Sequence, residues 1–193
     1  MSDPDRFFNI SSPIETLHSN ELLKSRSRHL RGNIAAGLED CLTGAVPGDD
    51  PLLMKFHGIY QQDDRDLRSE RQLRKLEPAF QFMVRLRLPG GVLNADQWLA
   101  LDRISRRFAK RGLRITTRQT LQLHGVSKRD LRTCLRALRK TGLDTISACG
   151  DDNRGVVCGA NPQQSGIYAA VVDIAANASD RFKPKTRGYS EIW

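Results

Sequence analysis

The stretch from Phe80 to Leu88 alternates without a break. Phe80, Phe82, Val84, Leu86 and Leu88 are separated by Gln81, Met83, Arg85 and Arg87. A period of two predicts a half-buried strand, and Pro89-Gly90-Gly91 ends it. Asn94, with Gln97 three residues on, carries a capping-box signature. Trp98, Leu101, Ile104 and Phe108 then mark one face of a helix that Gly112 closes. Leu113 to His124 reads as extended and long enough to fold into two strands. Ser127 and Asp130 form a second cap signature, and Leu131, Cys134, Leu135 and Leu138 line a helix closed by Gly142. Strand, helix, paired strand and helix predict an α+β chain built on a ferredoxin-like split βαβ half-domain over 76–147. Its last strand falls at either 143–148 or 155–158.

The flanks are less regular. Residues 1–75 read as an N-terminal arm, polar and aperiodic to about Leu30, with a Gly-, Pro- and Asp-rich loop over 43–51. A short apolar run, Leu52 to Tyr60, is expected to be extended, and Gln61 to Asp66 is polar throughout. Residues 148–193 read as the beginning of a second α/β domain. A helix is predicted from Ser165 to about Asp180, with Ile167, Ala170, Val171 and Ile174 on one side.

Hydrophobic residues make up 39% of the 193 and charged residues 27%, the composition of a globular chain. No apolar run reaches the roughly 20 residues that span a bilayer, and the N-terminus lacks the pattern of a secretory signal. Four cysteines are too few for a disulfide framework. A cytoplasmic chain with reduced thiols is expected. Membrane protein, collagen, coiled coil and disulfide scaffold are excluded.

The net charge of +9 is concentrated. Between Leu101 and Lys140 there are thirteen basic residues and two acidic ones. Such a field attracts anions, whether nucleic acid, acidic protein or a polycarboxylate. Most of these cations, including Arg106, Arg107, Lys110, Arg132, Arg136 and Arg139, lie opposite the apolar helix faces, where solvation explains them. Others resist that explanation. Arg85 and Arg87 share one face of a strand. If 114–124 stays extended, Arg114, Thr116, Arg118, Thr120, Gln122 and His124 share another. Either this is a solvated sheet face, or the two strands form an arginine platform suited to a ligand with several carboxylates. A polar loop, Cys149-Gly150-Asp151-Asp152-Asn153-Arg154-Gly155, adds a further arginine.

Several segments, in order and over roughly Leu30 to Trp193, resemble the siroheme sulfite and nitrite reductases, most closely the assimilatory sulfite reductase haemoproteins. They are Lys55 to Asp66 (KFHGIYQQDDRD), Arg85 to Gly91 (RLRLPGG), Ile115 to Thr120 (ITTRQT), Asn153-Arg154 and Thr186 to Trp193 (TRGYSEIW). The resemblance implies an N-terminal portion of an enzyme that reduces sulfite to sulfide by six electrons at a siroheme coupled to a [4Fe-4S] cluster. It implies that Arg87 and Arg154 face the substrate anion. It also implies that Arg85, Arg114, Thr116, Arg118, Thr120, Gln122, His124 and Asn153 serve the siroheme. The partners implied are sulfite, the C-terminal part of the haemoprotein and an NADPH-dependent flavoprotein subunit, with no membrane and no specific nucleic acid. The family's cluster ligands are two close cysteine pairs. Cys41, Cys134, Cys149 and Cys158 match no such spacing, so no metal ligand is assigned and the chain is expected to be inactive by itself. Two alternatives stand beside this reading. One is a fragment of a ferredoxin-dependent sulfite or nitrite reductase. The other is an autonomous basic module that binds nucleic acid or acidic protein, in which Arg136 and Arg139 would matter most.

Overall fold

The computed structural model describes residues 12–148, 155–159, 161 and 165–193. Four strands form one sheet: β1 (Ile59–Asp63), β2 (Phe80–Arg85), β3 (Leu113–Ile115) and β4 (Leu121–Val126). Their order is β1-β2-β4-β3, and all neighbours are antiparallel. Among the described residues the helices are α1 (Ser19–Arg26), α2 (Ile34–Glu39), α3 (Asp50–Phe56), α4 (Arg65–Leu73), α5 (Ala95–Phe108), α6 (Lys128–Arg139), α7 (Gly166–Phe182) and α8 (Arg187–Ile192). The chain leaves β2, crosses through α5 to β3, and returns through β4 between them. This is the split βαβ unit of the ferredoxin-like half-domain.

The alternation in β2 sorts its side chains only in part, since Met83 and Arg87 of the intervening set are buried as well. Phe82, Val84 and Leu86 are buried with Leu121 and Leu123, against Leu101, Ile104 and Phe108 of α5 and Leu131, Cys134, Leu135 and Leu138 of α6. Each such aliphatic or aromatic side chain contributes about 1.5–3 kcal/mol on leaving water. The Asn94–Gln97 capping box is complete. At α6 only half of it forms. Ser127 Oγ accepts from Asp130 N, but the Asp130 carboxylate takes the Ser127 hydroxyl (2.7 Å) rather than the cap's N–H.

Four expectations change. Trp98 is 48% exposed. In the first turn of α5 it is Gln97 that turns inward, donating to Thr141 O at 3.2 Å. Most of the Leu52–Tyr60 run is helical, because Pro51 fits a helix's first turn and Leu53, Met54 and Phe56 wind onto one buried side. The chain extends only after Gly58, whose φ is +78°. A Cβ at Gly58 would lie 2.0 Å from Thr145 O, so no other residue fits there. Neither candidate for the last strand forms. The edge of β2 is already taken by β1, from Val84 opposite Ile59 to Phe80 opposite Asp63. Only Arg87 is left to pair with Asp144, as a single bridge. The sheet therefore recruits β1 from the segment read as an arm. Helix α7 forms as expected behind a Ser165 cap, but its apolar stripe faces outward. Ile167 is 76% and Ile174 65% exposed, while Ala175 and Ser179 make the buried side.

Helix α8 docks against the start of β1 and the 143–148 segment. Tyr189 Oη accepts from Thr145 N (3.0 Å), and Trp193 Nε1 donates to His57 Nδ1 (3.0 Å). His57 is fully buried, and burial pushes its pKa down to about 4 from 6.5. The native state keeps this imidazole neutral, whereas the unfolded chain takes up a proton there below about pH 6.5. Stability from this group is therefore complete above about pH 6.5 and falls by roughly 3 kcal/mol as the pH drops toward 4. Urea melts across this window should show the fall, and His57→Gln should flatten it. A slope unchanged by His57→Gln would remove His57 as its source.

Candidate functional site

The face of the sheet opposite α5 and α6 is polar, and the strand register concentrates its charge. Arg85 of β2 pairs with Gln122 of β4, and Gln122 pairs with Arg114 of β3. Two arginines and an amide thus lie in one row across three strands, on one side of the pleat. With its carbonyl oxygen toward Arg85, Gln122 accepts from Arg85 Nε at 2.7 Å and donates to His124 Nε2 at 2.9 Å. Burial lowers the His124 pKa, and the charges of Arg114 and Arg85 lower it further. The imidazole is neutral at pH 7, with Nε2 as acceptor and the proton on Nδ1.

A cleft of about 510 Å³ lies beside this row, lined by Arg111, Arg114, His124, Gln62 and Gln81, among others. Its cations are not equivalent. Arg111 is held by Asp64 and Asp66, and Arg68 grips Asp63 through two 2.7 Å bonds. Arg85 and Arg114 meet no carboxylate among the described residues. The row carries net positive charge beside neutral hydrogen-bond donors, which suits a ligand bearing more than one carboxylate.

The other residues singled out from the sequence are dispersed. The segment 114–124 does not stay extended but folds into the β3–β4 hairpin, with Gln119 at φ +52°. Thr116 Oγ1 accepts from the N–H groups of Arg118 and Thr120 within the turn. Thr120 is buried and donates to Leu86 O at 2.5 Å. Arg118, at the exposed tip, donates to Gly155 O at 3.1 Å. Of the six residues, the fold brings Arg114, Gln122 and His124 together with Arg85. Arg87 lies apart from this row, at the end of the β2 segment against α7. It is 6% exposed, and its guanidinium donates to Ser179 Oγ (3.0 Å), Ser179 O (2.5 Å) and Ser147 O (3.3 Å). Asn153, Arg154 and Cys149 lie outside the described residues.

Gln119 has a role that no sequence pattern marked. Its amide clamps Cys158, donating to the carbonyl (2.6 Å) and accepting from the N–H (3.0 Å), so the hairpin tip and the 155–159 segment form one wall. Among the described residues no three His, Cys, Asp or Glu side chains converge to hold a metal. Cys134 faces the core, where burial pushes its thiol up to about 12, and Cys41 is exposed.

The row makes a spectroscopic prediction. Arg85→Gln and Arg114→Gln should each raise the His124 pKa in an NMR titration of the imidazole, because each removes a neighbouring positive charge. Arg106→Gln, on the far side of the sheet, should leave it alone. Equal shifts from all three variants would mean that the row does not act on His124.

Comparison with known proteins agrees with this architecture. Residues 74–141 match the nitrite/sulfite reductase ferredoxin-like half domain. The "Sulfite reductase [NADPH] hemoprotein beta-component" of Nitrosomonas eutropha is 53% identical over 98% of this chain and 33% of its own length. That of Methylocella silvestris is 52% identical over the whole chain and 34% of its length. The structure of the Mycobacterium tuberculosis NirA protein superposes with a TM-score of 0.58 at 28% identity, covering 76% of this chain and 28% of that one. The chain spans about a third of the length of the curated relatives it matches. Residues 74–141 belong to the nitrite/sulfite reductase ferredoxin-like half-domain family, within a chain similar throughout to part of the sulfite reductase haemoproteins.

Proposed function

We propose that this chain is part of a cytoplasmic sulfite reductase haemoprotein and that its open sheet face receives the carboxylates of siroheme. The observation that carries the reading is the Arg85–Gln122–Arg114 row, two cations without carboxylate partners among the described residues, beside a neutral His124. The donor set fits a polycarboxylate. A large anion brought out of water needs fixed cations and hydrogen-bond donors to offset its desolvation, and Arg85 and Arg114 supply the fixed charge. His124 Nδ1–H and the hairpin tip at Arg118 extend the donor set along the same edge. When bound, siroheme supplies redox chemistry that no side chain provides.

The donor set does not fit an iron–sulfur cluster. Such a cluster takes four thiolates at one place, and Cys41, Cys134 and Cys158 are not gathered. The cluster ligands are assigned to the remaining two thirds of the complete enzyme. By resemblance, Arg154 faces the sulfite and Asn153 stands beside it in the same loop. Arg87 is given a positioning role instead, fixing the end of β2 against α7. The relatives' description as NADPH enzymes supports a flavoprotein subunit, rather than a ferredoxin, as electron donor.

The test is absorbance titration of the purified chain with siroheme. Arg85→Gln combined with Arg114→Gln should weaken uptake by about a hundredfold, since each charge-assisted bond is worth about 1.5 kcal/mol or more. Arg106→Gln should have no effect. No sulfide should form from sulfite by the chain alone. Siroheme uptake indifferent to Arg85 and Arg114 would overturn the assignment of the face.

A further inference from the structure

The outer surface of the helical layer, on the other side of the sheet from the site above, divides its basic residues into two groups. One group has acidic partners: Arg106 with Asp102 and Arg132 with Glu39. Arg139 is engaged too, lying over the Tyr189 ring and donating to Ser190 O. The second group, Arg103, Arg107, Arg136 and Lys140, meets no carboxylate among the described residues. These four surround one notch of about 400 Å³ between α5 and α6. The notch is lined as well by Ile104, Phe108 and Ala137, and no acidic residue lines it.

Solvation accounts for long cations spread over a helix, but not for four unpaired ones converging on apolar groups. Arg107 lies over the Phe108 ring, with its guanidinium carbon 5.0 Å from the centroid, so this cation is held at the rim. Arg103 is tethered to its own helix through Leu99 O at 3.2 Å.

We propose that this notch is a docking groove for an acidic amphipathic segment of a partner protein. Its carboxylates would pair with Arg103, Arg107, Arg136 and Lys140, and its apolar residues would sit over Ile104, Phe108 and Ala137. Helix-in-groove recognition uses this combination, with apolar anchors on the floor and charges setting orientation at the rim. A nucleic acid would satisfy the cations through phosphates but leave the apolar floor without a partner. That is why a protein segment is favoured. The proposal is independent of the siroheme reading, because it involves the opposite layer of the molecule.

The test is fluorescence anisotropy of the full chain with three labelled ligands. The first is a helical peptide with leucines at i, i+3, i+4 and i+7 and glutamates elsewhere. The second has the same charge with serines for leucines. The third is a DNA duplex of equal charge. The amphipathic peptide should bind at least about tenfold more tightly than the other two at physiological salt. Arg103→Glu with Arg136→Glu should abolish its binding. Ala137→Trp, which fills the floor without changing charge, should weaken it about tenfold. Arg106→Glu should leave it within about twofold, since Arg106 lies outside the notch. Circular dichroism melts check that each variant is folded, and amide shift changes on titrating the unmodified chain should map to α5 and α6. Equal binding of the serine peptide, tighter binding of DNA, or indifference to a folded Ala137→Trp variant would each overturn the proposal.

Discussion

A buried guanidinium ties the end of the β2 segment to helix α7 in the C-terminal part of the described chain. Arg87 leaves the end of β2 and donates to both the hydroxyl and the carbonyl of Ser179 in α7, and to Ser147 O in the segment after α6. Its backbone N–H pairs with Asp144 O at 2.9 Å. A cation withdrawn from water is costly unless its donors are matched, so this position is intolerant of small displacements. The same arrangement explains why Arg85 is left open. Helix α7 covers the sheet only at its Arg87 end, and the face two residues back along the strand stays uncovered.

The half-domain was legible because its signals are local. Alternation in 80–88, two cap signatures and two apolar helix stripes are each decided by near neighbours, and the strand and both helices formed, with Trp98 turned out of its stripe and the α6 capping box half made. What escaped depended on partners distant in sequence. Nothing between Leu52 and Tyr60 announces that the edge of β2 would be filled by Ile59 to Asp63, because strand pairing is set by the competitor that arrives at the edge. The pleat rule grouped Arg114 with Thr116, Arg118 and Thr120. Once the chain reverses at Gln119, the neighbour that matters to Arg114 is Gln122, directly across the hairpin. Arg87 looked like Arg85 by alternation, and only the docking of Ser179 distinguishes the two.

Charge shows the same division. Composition located a basic block but could not say which of its cations were neutralised. Asp64 and Asp66, some forty-five residues before Arg111, remove that arginine from the free set, and Glu39 does the same for Arg132. Cations without a carboxylate partner gather at two separate places, the Arg85–Arg114 row and the notch between α5 and α6, while Lys110 and Arg129 are exposed elsewhere. The row and the notch lie on opposite sides of one sheet, so a ligand at one leaves the other open.

The position of β1 bears on where this family's half-domain begins. The family match starts at residue 74, yet the sheet starts at Ile59, and the intervening α4 only returns the chain to β2. A fragment cut at the family boundary would keep α5 and α6, which cover one face of the sheet, and lose the strand that seals its side. The N–H and C=O groups of β2 that now face β1 would become an unpaired edge backed by Phe82 and Val84, the kind of template on which separate molecules add strands to one another. Such a fragment would be prone to strand-swapped dimers and to aggregation, the more so because Leu53, Met54, Ile59, Tyr189 and Trp193 would leave the shared core with it.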